Sequence, residues 1–310
     1  MKWHIVPKRC HLASTFSIVA FDPSTRDLGV AVQSRYFSVG SIVPWAEADV
    51  GAIATQSFIN VSYGPRGLQL LKQGLTVEEV IDKLTKDDEA REFRQVGIVD
   101  AKGNAGAFTG KNCLEWAGSK IGKNYAVQGN ILTSEDVVAR MAQKFEETRG
   151  DLADKLIAAL KGGEEAGGDA RGRQSAALLV VRKNCGRAGY GDRYIDLRVE
   201  DHPNPIAELK RLLVLHRIYS LIDDGEEKLA KGNLEASLAV LMKAVSLNPN
   251  VDDVYVDLGV VYLRLGEKQE AINAFKKALQ LNPKMRNLIR QLPKFGWMES
   301  NQEIFREIGI

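Results

Sequence analysis

The apolar residues between Thr15 and Val199 fall into short blocks, most of them seven or eight residues long and separated by turn residues. The first, Thr15-Phe-Ser-Ile-Val-Ala-Phe-Asp22, opens on a hydroxyl and ends at Pro23. Blocks this short and this apolar are strands covered on both faces, not amphipathic helices. Side chains alternate along a strand, so Thr15, Ser17, Val19 and Phe21 share one face. The turn Ser24-Thr25-Arg26-Asp27 joins this strand to a second, Leu28 to Ser34. Further strands are expected at Ser38 to Val43, Gly51 to Ser57, Gln95 to Asp100, Ala105 to Thr109, Tyr125 to Leu132, Ser175 to Arg182 and Tyr194 to Val199. Lys102-Gly103-Asn104 makes a hairpin of two of them.

Helices fall between these strands in pairs. Pro65 opens one that Gly74 stops, and Thr76-Val77-Glu78-Glu79 is a capping box for the next. Ser134-Glu135-Asp136 and Asp151 start a second pair, and Gly162 to Gly172 reads as a flexible glycine-rich stretch. The simplest packing is two stacked antiparallel sheets with helices outside.

From the N-cap and first-turn pair Asn204-Pro205 onward the chain is helical. Gly225, Gly232 and Pro249 recur thirty-four residues later as Gly259, Gly266 and Pro283. Tyr255, Leu258, Gly259, Tyr262, Gly266, Ala271, Phe275, Ala278 and Pro283 match the tetratricopeptide (TPR) pattern. The expected organisation is an extension or propeptide over 1–14, a mixed domain over 15–203, a connecting helix over 204–220, two TPR repeats over 221–283 and a capping segment over 284–310. TPR repeats imply a protein partner or self-association.

Charge excludes several classes. Forty-two Lys and Arg against forty Asp and Glu leave a net charge of +2, which gives no electrostatic case for nucleic acid. No apolar run is long enough to span a membrane. Three cysteines without a Cys-x-x-Cys spacing fit a reducing cytoplasm better than a disulfide framework. There is no phosphate-binding glycine loop, no His-Glu-x-x-His and no Gly-x-Ser-x-Gly. The four histidines have no metal-ligand spacing, so no metal or other cofactor is expected. A His-dependent triad would have to recruit His202 or His216.

What the chain does carry is hydroxyl, amide and guanidinium groups at strand ends. These are Arg35, Gln56, Asn60, Tyr63, Thr109, Gln128, Asn130, Asp169, Arg171 and Arg173. Cys113 reads as a small buried apolar residue.

Six segments carry a resemblance. They are Thr15-Phe-Ser-Ile-Val-Ala, the stretch around Trp45, Tyr63-Gly-Pro-Arg-Gly, Gln95-Val-Gly-Ile-Val-Asp, Ala126-Val-Gln-Gly-Asn130 and Arg171-Gly-Arg-Gln-Ser-Ala-Ala-Leu. Over about residues 15 to 210 the chain resembles the family called domain of unknown function 1028, which itself resembles N-terminal-nucleophile (Ntn) hydrolases. The resemblance implies an α+β four-layer αββα sandwich followed by the all-α TPR domain, and a reaction class without a substrate. In many relatives the matching Thr directly follows the initiator Met, whereas here fourteen residues precede it.

A Thr hydroxyl is a poor nucleophile without an adjacent base. In an Ntn enzyme that base is the residue's own α-amine. With a pKa near 7.8 it is roughly a tenth neutral at pH 7, against well under a thousandth for a lysine. The expectation is therefore an amidohydrolase that cleaves an amide or small peptide through an acyl-enzyme on Thr15, after scission of Ser14–Thr15. Asn130, with Gln128, would stabilise the oxyanion, and Arg35 would stabilise charge beside Thr15. Arg171 and Arg173 beside Asp169 would hold a substrate carboxylate, and Gln56, Asn60 and Tyr63 would line the cleft. The alternative is an inactive Ntn-like scaffold that acts as a TPR protein-binding module.

Overall fold

The computed structural model describes residues 12–13, 15–186 and 189–310. Apart from residues 12 and 13, the extension expected over 1–14 lies outside the described residues. The chain divides between Leu212 and Leu213 into two compact units.

The first unit holds two antiparallel sheets. One contains β1 (Leu12–Ala13), β4 (Pro44–Glu47), β5 (Gly51–Phe58), β6 (Arg94–Asp100) and β7 (Ala105–Thr109). The other contains β2 (Thr15–Asp22), β3 (Asp27–Ser34), β8 (Gly118–Gly122), β9 (Tyr125–Asn130), β10 (Ser175–Val181) and β11 (Arg193–Val199), in the order β11-β10-β3-β2-β9-β8. The sheets pack through β2 on β5 and β6, and through β9 on β6. Helices α1 (Tyr63–Lys72) and α2 (Val77–Lys86) lie on the five-stranded sheet, while α3 (Asp136–Glu147) and α4 (Leu152–Glu165) lie on the six-stranded one.

Period-two alternation sorts each strand between two cores. Ile53, Val96 and Ile98 meet Leu68, Val80 and Leu84 of the helices. Val19, Phe21, Val30, Val32, Ala52, Ala54, Val99 and Leu179 fill the space between the sheets. The capping box of α2 forms, with Thr76 Oγ1 accepting from Glu79 N and Glu79 Oε2 accepting from Thr76 N. Asp151 Oδ1 caps α4 by accepting from Asp154 N at 2.9 Å.

Four local expectations need correction. Ser38 to Val43 is not a strand. Ser38 takes a left-handed φ of 58°, and Val39–Ser41 is a 3-10 turn. The strand here is β4, which begins at Pro44 and was missed, as was β8. Gly162 and Gly163 are not flexible: α4 runs through both, and each is buried. A Cβ at Gly162 would stand 2.9 Å from the Arg140 carbonyl, and one at Gly163 2.8 Å from Met141 Cγ, so the glycines let α4 close on α3. Finally, β9 stops at Asn130, because Ile131 turns to a φ of 51°.

Helix α5 begins at Pro205 and continues unbroken to Ala230. The second unit continues through α6 (Leu234–Leu247), α7 (Asp252–Leu265), α8 (Lys268–Leu281), α9 (Met285–Gln291) and α10 (Gln302–Glu307). Its core contains Ile222, Leu241, Leu258, Phe275, Ile289 and Ile304. A Cβ on Gly259 would sit 2.5 Å from the Phe275 ring, and one on Gly225 2.8 Å from Leu241, so both repeat glycines mark close helix contacts. No helix of the described residues is long and apolar enough to cross a membrane.

Candidate active site

The space between the sheets changes character along its length. On β2 the inward face runs Phe21, Val19, Ser17, Thr15, and on β3 it runs Leu28, Val30, Val32, Ser34. On β10 it passes from Val181, Leu179 and Ala177 to Ser175, and on β9 from Ala126 to Gln128 and Asn130. The facing sheet does the same. Ala52 and Ala54 give way to Gln56, Val99 to Gln95, and Ala107 to Thr109. These seven strands turn polar at the same end of the sandwich.

Thr15, Ser17, Ser34, Gln56, Gln95, Gln128, Asn130 and Ser175 are all fully buried there. Buried polar groups are costly unless bonded to one another. Ser17 Oγ donates to Gln56 Oε1 at 2.6 Å and accepts from Gln128 Nε2 at 2.7 Å. Gln56 Nε2 donates to the Thr15 carbonyl at 3.2 Å and to Gln95 Oε1 at 2.8 Å. Gln95 Oε1 also accepts from Asn130 Nδ2 at 2.9 Å. The Gln95 amide nitrogen donates to the carbonyls of Gly129 at 2.8 Å and Gly118 at 3.2 Å and to Thr109 Oγ1 at 2.9 Å. Thr15 Oγ1 donates to Ser34 Oγ at 3.2 Å.

Thr15 pairs with Ser34 on one side and Asn130 on the other. One step further along both neighbours, a different segment takes the place of β2. Asp169 bridges Leu132, Ala170 N donates to the Ile131 carbonyl at 2.9 Å, and Thr133 N donates to the Gly168 carbonyl at 3.1 Å. On the other side Asp169 Oδ2 accepts the Arg35 N–H at 3.0 Å. The sheet is closed ahead of Thr15, and the preceding strand, β1, belongs to the opposite sheet, paired with Ser57 and Phe58.

The expected site residues fall into three places. Thr15, Gln56, Gln128 and Asn130 share the buried network. Arg35, Asp169, Arg171 and Arg173 form a charged rim beside it. The Asp169 carboxylate is fully buried and takes Arg171 Nε at 3.2 Å and its second guanidinium nitrogen at 3.0 Å. Arg35 donates to Gln174 Oε1, and Arg173 bridges Glu164 at 2.6 Å and Asn204 at 2.7 Å. Burial raises the Glu164 carboxyl, Arg173 opposes the rise and the charge of Asp169 adds to it.

Asn60 and Tyr63 lie elsewhere. Both donate to Asp88 Oδ2, at 2.9 and 3.0 Å, and Arg94 Nε joins them at 2.9 Å. Burial raises the Asp88 carboxyl, but the bonds from Arg94, Asn60, the Ala90 N–H and Tyr63 outweigh it and hold the group down at about 2. Burial and the Asp88 charge both push the Tyr63 phenol up.

Two other side chains that could serve as nucleophiles, Cys113 and Ser175, are hydrogen-bonded to backbone. Cys113 is buried, donates to the Arg94 carbonyl at 3.3 Å and has its thiol pushed up by burial. Ser175 Oγ donates to the Tyr36 carbonyl and accepts from Val39 N at 3.1 Å. His202 Nδ1 accepts the Asn204 N–H in the turn before α5.

Sequence reasoning missed Gln95 and Ser17, the two groups through which the network is wired. The available signal was parity: each is a polar residue at the inward register of a strand whose other inward residues are small or apolar.

A family profile described as a family of unknown function, DUF1028, matches residues 15–209. The chain belongs to the DUF1028 family. The DUF1028 domain is followed by matches to a TPR repeat over residues 225–266 and a tetratricopeptide repeat over 253–285. The crystal structure of protein SPO2555 from Silicibacter pomeroyi, itself described by the DUF1028 family, is similar at 32% sequence identity and a TM-score of 0.59. The match covers 64% of this chain and 84% of that one. Comparison with curated proteins gives no match.

Proposed function

We propose that the DUF1028 domain is an Ntn-type amidohydrolase that cleaves an amide or small-peptide bond through an acyl-enzyme on Thr15. One observation carries this reading: Thr15 opens a central strand, with its hydroxyl in the polar half of the inter-sheet layer and the sheet closed ahead of it. Paired helices on the outside of each of two packed sheets, the layer order of an αββα sandwich, support it as well.

In the uncut chain the Thr15 nitrogen is an amide and cannot act as a base. Scission of Ser14–Thr15 frees an amine, whose ordinary pKa of about 7.8 leaves a usable neutral fraction at pH 7. That amine takes the Oγ proton as Oγ attacks the substrate carbonyl. The C–N bond breaks, the leaving amine carries the proton away, and water then hydrolyses the Thr15 ester. Asn130, directly opposite Thr15 in the ladder, would turn its amide to the oxyanion. The Arg35 and Arg171 guanidiniums at the rim would favour a substrate bearing a carboxylate. The TPR repeats would bind a protein partner, and a reducing cytoplasm suits the free Cys113 and Cys185.

The scaffold alternative draws on one fact: Thr15 is fully buried and its hydroxyl donates to Ser34. Intact mass and N-terminal sequencing of the purified protein separate the two. A chain beginning at Thr15, with hydrolysis of amides or dipeptides that is lost in Thr15→Ala, is the expected result. A chain that keeps its leader after long incubation, and is inert on the same panel when recloned to begin Met-Thr15, would leave the scaffold.

A further inference from the structure

A groove of about 530 Å³ lies between α2, β7 and β8. Glu78, Ile81, Asp82 and Thr85 of α2 form one wall, residues 105–108 of β7 the other, Ile121 of β8 closes it, and Arg91 and Glu92, ion-paired with each other at 3.3 Å, complete the lining. Ile121 is 52% exposed.

Strand β7 ends its sheet, pairing with β6 alone. The Asp100 N–H donates to the Asn104 carbonyl and the Gly110 N–H to the Arg94 carbonyl, each at 2.9 Å. In an antiparallel ladder that fixes Gly106 and Phe108 as the residues bonded to β6. Ala105, Ala107 and Thr109 therefore turn their N–H and C=O groups outward, away from β6. Proteins usually guard such an edge with charge, proline or a bulge. Ala105-Gly-Ala-Phe-Thr109 has none of these, and its register with β6 is unbroken.

The α2 wall is acidic. Glu78 and Asp82 are exposed, one helical turn apart, and among the described residues neither takes part in an ion pair. Beneath them the floor is apolar, made by Ile81, Phe108 and Ile121. An open strand edge, an apolar floor and an acidic wall call for an extended backbone with alternating apolar and cationic side chains.

We propose that this groove docks an extended lysine- or arginine-bearing segment of a partner protein, which adds to the sheet as a strand beside β7. Main-chain bonds to Ala105 and Ala107 give it hold, and Glu78 and Asp82 select its charge. The site is independent of Thr15 chemistry.

The test is titration of the full-length, ¹⁵N-labelled protein with the peptide acetyl-Lys-Val-Lys-Val-Lys-Val-amide, with the Glu-Val counterpart as control. The expected result is saturable shifts at Ala105 to Thr109, slowed amide exchange at Ala105 and Ala107, and no response to the Glu-Val peptide. Glu78→Lys and Asp82→Lys, both on an exposed helix face, should each weaken binding at least fivefold. Ala107→Pro, which removes an outward N–H and spares the bonds to β6, should abolish it. Shifts elsewhere, no shifts, equal binding of the Glu-Val peptide, or affinity unchanged in the two lysine variants would overturn the proposal. So would protection of Ala105 and Ala107 that rises with protein concentration alone, since the occupant would then be a second copy of the chain.

Discussion

Thr15 Oγ1 and Ser34 Oγ lie 3.2 Å apart across the β2–β3 ladder, with Thr15 donating. The proton of the proposed nucleophile thus points at a neighbouring strand, not at a base. An amine on Thr15 itself would offer another acceptor.

That relationship separates three variants. Thr15→Ala should leave the leader attached and hydrolysis absent. Thr15→Ser keeps an oxygen and should still shed the leader and hydrolyse substrate. Ser34→Ala removes the competing acceptor and should leave cleavage intact. Intact mass of the three purified proteins, with hydrolysis of the amide and dipeptide panel, checks all of this; cleavage in Thr15→Ala would exclude Thr15 as the group that cuts the chain.

Gln95 makes five hydrogen bonds to the two sheets. Gln95→Leu keeps the volume but takes an acceptor from the Gln56 and Asn130 amides and a donor from two backbone carbonyls and Thr109 Oγ1. Leaving buried polar groups unpaired costs about 1–3 kcal/mol each, so a loss of roughly 3–5 kcal/mol is expected in urea unfolding. A loss under about 1 kcal/mol would mean that the network does not hold the sheets together.

Asp88 makes the first unit acid-sensitive. Its folded carboxyl sits at about 2, below an ordinary aspartate near 3.8. The stability it contributes is present above the unfolded value and is lost as pH falls through the folded one. About two units corresponds to on the order of 2 kcal/mol. Melting of the wild type should fall between about pH 4 and pH 2, and Asp88→Asn should flatten that part of the curve. An unchanged slope would remove Asp88 as its source.

Asp257 on α7 acts the other way. Burial raises its carboxyl to about 8, and the charges of Glu226 and Asp253 add to the rise. The folded state then holds a proton that the unfolded state releases, so stability is greatest below the unfolded value and declines as pH rises from about 4 to 8. Asp257→Asn should stabilise the helical unit at pH 8 and leave it nearly unchanged at pH 4, read by thermal melting followed by circular dichroism. A variant less stable at pH 8 than the wild type would contradict this.

Strand positions were legible because apolar blocks of seven or eight residues leave few alternatives, and the repeats because Gly225 and Gly259 recur at a fixed period. The strand β4 and the turn at Ser38 were not, since Pro44-Trp-Ala-Glu has no alternation and a left-handed Ser carries no composition signal. Within the site, Thr15, Gln56, Gln128 and Asn130 could be named from their types and their places near strand ends. That Asn60 and Tyr63 instead serve Asp88 depends on Arg94 emerging beside Ser57 across the β5–β6 ladder. Such pairing between distant segments is invisible to local pattern. Gln95 was missed because a glutamine opening an apolar strand reads as its edge, whereas here it lies fully buried between two sheets.

The residues that close the six-stranded sheet ahead of Thr15 act as an end stop. With Gly168 to Ala170 seated against Ile131 and Thr133, β2 has no room to slide or lengthen in that direction. Chains that differ in what comes before Thr15 would therefore deliver the same hydroxyl to the same place. On the proposed reading, variation in the leader would change when the residue is uncovered, not where it stands.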